Sequence, residues 1–71
     1  MKLSIMKIRD FVEEELQMFR NKCNFTDEEL QIFNLRAKDV PYTAIAYRLS
    51  MSESKVYAIA KRVKKKMLKV I

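Results

Sequence analysis

The stretch from Glu53 to Lys66, ESKVYAIAKRVKKK, sets hydrogen-bonding and cationic side chains between small and apolar ones. Lys55 can donate to the acceptor atoms of guanine, Glu53 can accept from the amino group of cytosine, and Ala58 can touch a thymine methyl. Ser54 and Tyr57 add hydroxyls that donate or accept. Lys61, Arg62 and Lys65 supply positive charge of the kind that neutralises phosphates. The chemistry on offer is recognition of a polyanion. Catalysis finds less support: Glu13, Glu14 and Glu15 are consecutive, so on a helix they point about 100° apart and cannot converge on one substrate. With no histidine and a single cysteine, Cys23, one chain assembles neither a zinc site nor a disulfide. We therefore expect no enzyme activity, no metal and no cofactor.

Charge is distributed unevenly along the 71 residues. Residues 1–30 carry five basic and seven acidic side chains, residues 31–47 two and one, and residues 48–71 eight and one, so the last third holds a net +7. Such polarity implies a polyanionic partner, nucleic acid first and an anionic membrane surface second. No apolar run of about 18 residues and no signal segment is present, which predicts a soluble, cytoplasmic protein that does not span a membrane.

Four helices are needed to position these side chains. Glycine is absent and Pro41 is the lone proline, so helix formers dominate with few breakers. A chain of this size makes one domain, residues 1–71, with a marginal core. Ile5, Ile8, Val12, Leu16 and Phe19 recur at spacings of three and four, predicting an amphipathic N-terminal helix over about 3–22. Its stripe either folds back on its own domain or forms a seam against a second chain. In FTDEEL, Thr26 and Glu29 have the spacing of a reciprocal cap that starts a second helix. That helix is apolar on two faces, Leu30, Phe33 and Ala37 on one and Ile32 and Leu35 on the other, which places it between two layers. Pro41 belongs at or beside the first turn of a short third helix carrying Tyr42, Ile45, Ala46 and Leu49. Ser52 is a natural N-cap for a fourth, whose stripe Val56, Ile59, Ala60, Val63, Met67 and Val70 runs to the C-terminus.

A short helix, a turn of three or four residues and a longer basic helix describe a helix-turn-helix, in which the second helix enters the major groove. The predicted fold is all-α: a trihelical helix-turn-helix core over about 26–71 with the extra N-terminal helix. The segments FTDEELQIFNLRAKD, IAYRL and MSESKVYAIAKRVKKKM resemble bacterial sigma factor region 4 and LuxR-type (GerE-like) DNA-binding domains over about 45 residues, Phe25 to about Leu68. The family's acidic residue falls on Glu29, its Ile-Ala pair on Ile45 and Ala46, its turn serine on Ser52 and its recognition-helix valine on Val56. Asp39 and Ser50 stand where the family usually has glycine, at positions that call for positive φ. Pro41 replaces the usual capping serine, and Tyr57 and Ala58 stand where sigma factors commonly place Arg or Gln.

The resemblance implies a small transcriptional regulator that binds double-stranded DNA through residues 25–71. Glu53, Ser54, Lys55, Tyr57 and Ala58 are the candidate base readers. Thr43, Tyr47, Arg48, Lys61, Arg62 and Lys65 are the candidate phosphate contacts. Four helices account for the whole sequence, so no receiver, ligand-binding or catalytic domain is expected. One recognition helix buries too little surface to be selective, so a homodimer is expected. Its candidate seams are Ile5, Ile8, Val12 and Phe19 on the first helix, or Val63, Met67 and Val70 on the last, the helix through which LuxR-type domains pair. A second reading is a sigma-like interaction module that binds RNA polymerase or a sigma factor with little DNA affinity. A third, a basic amphipathic helix on an anionic membrane, is separable by liposome co-sedimentation.

Overall fold

The computed structural model describes residues 8–71. The chain is all-helical: a 3₁₀ turn at Ile8–Asp10 is followed by α1 (Glu13–Lys22), α2 (Asp27–Ala37), α3 (Tyr42–Leu49) and α4 (Glu53–Val70). No strand occurs among the described residues.

The core has two compartments. Ile8, Leu16, Phe19 and Cys23 meet Phe33 of α2 and Val63 and Met67 of α4 in one; Ile32 of α2 meets Ile45, Ala46, Val56, Ile59 and Ala60 in the other. Helix α2 separates the two, as its pair of apolar faces requires. Helix α4 is long enough to floor both, its first half under α3 and its second half under α1. Three aromatic pairs tighten the first compartment: Phe11 and Phe19 lie edge to face at 5.1 Å between centroids, Phe19 and Phe33 at 6.3 Å, and Phe25 sits 5.0 Å from Phe33. Such pairs add to the stabilisation given by burial alone.

The first helix is shorter than its periodicity predicts. Instead of one helix over about 3–22, the chain makes the 3₁₀ turn, breaks at Phe11 and Val12, and starts α1 at Glu13. Two local forces account for the break. Val12 is extended, and its N–H donates to Glu15 Oε1 at 3.0 Å, half of a capping box, with three glutamates at the positive end of the helix dipole. The bend also lets both Ile8 and Phe11 turn inward. Val12, assigned to the buried stripe from spacing, is 62% exposed as a result. Ile5 lies outside the described residues.

The turns work without glycine. Asn24, Asp39 and Ser50 adopt φ of 53°, 62° and 54°. After α2, the Asp39 N–H bonds to Arg36 O at 2.9 Å and the Val40 N–H to Leu35 O at 3.0 Å; after α3, the Ser50 N–H bonds to Tyr47 O at 3.3 Å and the Met51 N–H to Ala46 O at 2.9 Å. Both are Schellman motifs, each closed by an apolar contact region that includes Val40 or Met51. The Arg9 guanidinium pairs with the Asp39 carboxylate, tying the N-terminal turn to the α2–α3 connection.

Candidate nucleic-acid interface

Pro41 holds the N-cap position of α3, where its missing N–H costs nothing, and Ser52 caps α4 by accepting the Lys55 N–H at 3.1 Å. Between them, three residues separate two helices that share the Ile45, Ala46, Val56, Ile59 and Ala60 compartment. This is the spacing and packing of a helix-turn-helix unit.

That unit leaves every candidate reader and phosphate contact at the surface. Glu53, Ser54, Lys55, Tyr57 and Ala58 are exposed, and so are Thr43, Tyr47, Arg48, Lys61, Arg62 and Lys65. Tyr47 is the most open of the large hydrophobic side chains described, at 88%. Three of the candidates are nevertheless engaged within the molecule. Lys55 Nζ lies 3.6 Å from Glu28 Oε2, and Arg62 Nε lies 3.3 Å from Glu29 Oε2. The Tyr57 ring sits 4.5 Å from that of Tyr42, which in turn lies 4.5 Å from the Arg36 guanidinium carbon. Arg36 Nη1 donates to the Val40 carbonyl at 2.8 Å. The Arg36, Tyr42 and Tyr57 stack therefore joins α2, α3 and α4 and restrains the one aromatic candidate reader. Two tyrosines 15 positions apart carry no signal of that contact in the sequence.

Glu29 organises the flank. Its Oε1 accepts the Thr26 N–H at 3.0 Å while the Glu29 N–H donates to Thr26 Oγ1 at 3.3 Å, completing the reciprocal cap. The side chain is also the one buried charge among the described residues, 2% exposed, and it takes hydrogen bonds from Lys66 Nζ at 2.5 Å and from Arg62 Nε. Burial alone pushes a carboxyl pKa up; hydrogen bonds from Lys66, the Thr26 backbone and Arg62 outweigh it and hold Glu29 down at about 2. Lys66 also donates to the Asn24 carbonyl at 3.1 Å. Arg62 and Lys66 are thus part of the fold's own charge pairing, and Arg62 is a weaker phosphate candidate than its exposure implies. Lys61, Lys65 and Arg48 have no acidic partner among the described residues, which leaves their charge available to an outside anion.

The seam candidates separate differently. Ile8, Phe19, Val63 and Met67 are buried in the chain's own core, so these four positions of the predicted stripes are closed to a second copy. This corrects the reading from spacing, which cannot tell a stripe that faces its own core from one that faces a partner. Val70 is half-buried, and Val12, Leu68 and Ile71 are the exposed apolar residues at that end of the molecule.

No cluster of metal-binding side chains occurs among the described residues, and none of their helices is long and apolar enough to cross a membrane. No family model matches the chain, and neither curated proteins nor solved structures include one significantly similar to it.

Proposed function

We propose that this protein binds double-stranded DNA sequence-specifically, as a small helix-turn-helix regulator of transcription related to sigma factor region 4 and LuxR-type domains. The observation that carries the reading is the state of α4: a helix anchored by Val56, Ile59, Ala60, Val63 and Met67 with Ser54, Ala58, Lys61 and Lys65 on its open side. Its anchored face fixes the rod, and its polar face meets the length and charge that a major groove accepts. Ser54 and Ala58 read base edges with Lys55 and Glu53 beside them; Arg48, Lys61 and Lys65 meet phosphates, assisted by Thr43 and Tyr47. Two copies act together, since a single helix covers too few base pairs to select a site. Their contact uses the exposed apolar residues Val12, Leu68 and Ile71 in place of the buried Ile8, Phe19, Val63 and Met67. Selection of bound fragments from random duplexes tests the reading. A recurrent site, two-fold symmetric for a dimer, supports it; recovery of random fragments only overturns sequence-specific binding.

A protein-interaction role is the second reading. The open end formed by Phe11, Met18, Val70 and Ile71 favours it, because that cleft holds none of the candidate base readers or phosphate contacts. Capture of RNA polymerase by a protein that retains no duplex affinity would select this reading over the first.

A further inference from the structure

Glu28 stands apart from the other acids of the α2 cap. Glu29 is buried and its oxygens are occupied by Thr26, Lys66 and Arg62. Glu28 is open: its side chain is 46% exposed and that of Lys55 55% exposed, and their charged atoms are 3.6 Å apart. That separation exceeds the roughly 2.7–2.9 Å of a charge-assisted hydrogen bond. The ammonium therefore keeps donors, and the carboxylate keeps acceptor sites, for a third party. An exposed pair of this kind contributes little to stability.

The pairing changes what Lys55 can recognise. A cation with a carboxylate beside it is close to neutral as a unit, so it gains little from a phosphate, and the carboxylate repels one. The isolated cations Arg48, Lys61 and Lys65 suit that role better. A donor and an acceptor held side by side have a different complement: a partner that presents an acceptor next to a donor. In the major groove, a G·C pair offers the N7 and O6 acceptors of guanine beside the N4 amino donor of cytosine. Lys55 lies in the first turn of α4, the part of a recognition helix that contacts base edges.

We infer that Lys55 and Glu28 form one reading unit for a G·C base pair, Lys55 donating to guanine and Glu28 accepting from the cytosine amino group. Glu28, on a helix outside the helix-turn-helix pair, is thus a specificity-determining residue. The inference rests on the DNA-binding reading above and adds to it a particular base pair and a second residue.

The test uses the full-length protein and its selected duplex, with every position replaced in turn by the other three base pairs, measured for the parent, Glu28→Ala, Lys55→Ala and the double variant. Circular dichroism of each variant reports retained helix content, and Glu28→Gln serves as a second variant of the same volume. The parent discriminates G·C from the alternatives at one position by about tenfold or more. Either single substitution removes most of that ratio, and the double variant loses no more than the worse single one. Glu28→Ala that keeps or sharpens the ratio makes Glu28 a mere restraint on Lys55 and overturns the inference, as does a Lys55-dependent position that prefers A·T. A parent protein with no selected site overturns the DNA reading itself, which separates the two failures.

Discussion

Replacing Glu29 by Gln keeps the shape of the side chain and removes the charge shared by Lys66 and Arg62. The folded carboxyl titrates near 2 against an ordinary value of 4.5, so its stabilisation is complete above pH 4.5 and is lost as pH falls toward about 2. Between neutral pH and the acid end of that window the folded chain loses about 3 kcal/mol of stability from this one carboxyl. Urea midpoints measured from pH 7 downward should show the parent's stability falling steeply below pH 4.5, with Glu29→Gln weaker at neutral pH and converging on the parent in acid. Parallel curves would show that Glu29 does not stabilise the fold through its charge. Cys23 gives a simpler expectation. Burial pushes its thiol pKa up while the Lys66 charge pulls it partly back, so alkylation of the native protein should be slow and should accelerate only as denaturant unfolds it. Fast labelling under native conditions would mean that the first core compartment opens readily.

At the scale of elements, the caps and turns are where sequence and structure agree most closely. Thr26 with Glu29 and Ser52 with the Lys55 N–H mark the starts of α2 and α4 because a capping side chain acts over three residues and is therefore written locally. The left-handed positions at Asp39 and Ser50 are equally local. Ser50→Gly should raise stability by about 0.5–1 kcal/mol, since it relieves a Cβ at φ 54° and the gain exceeds the added freedom of the unfolded chain. Thermal unfolding measures this directly, and a lower midpoint would mean that Ser50 is not strained. Thr26→Ala should cost about 1 kcal/mol by the same measurement. The start of α1 was not legible, because Ile8, Val12, Leu16 and Phe19 keep helical spacing through the break and Val12, which has no capping oxygen, gives no start signal of its own. Contacts across 33 and 37 positions, Arg62 and Lys66 on Glu29, also leave no local trace beyond opposite charge. The basic run therefore reads in sequence as uniform, whereas the fold divides it into cations already paired and cations free to act.

For the whole molecule, that division sets the strength of any interaction with DNA. The chain carries +6, yet Lys55, Arg62 and Lys66 face acids of α2, and among the candidate phosphate contacts the open charge lies on Arg48, Lys61 and Lys65. The burial of Ile8, Phe19, Val63 and Met67 likewise confines any contact between copies to the apolar residues left exposed, Val12, Leu68 and Ile71. Light scattering at micromolar concentration should report twice the 8.5 kDa chain, and should revert to it when Leu68 and Ile71 are both replaced by Ser. A parent that scatters only as an 8.5 kDa species would remove the dimer. The most direct test of DNA binding is the affinity of the full-length protein for duplex DNA across about 50 to 200 mM salt. With Arg48, Lys61 and Lys65 of each copy meeting phosphates, log K against log salt should fall with a slope of about −3 per copy, and Lys61→Ala or Lys65→Ala should each reduce it by about 0.9. Absence of binding, or an affinity indifferent to salt and to both substitutions, would contradict the account.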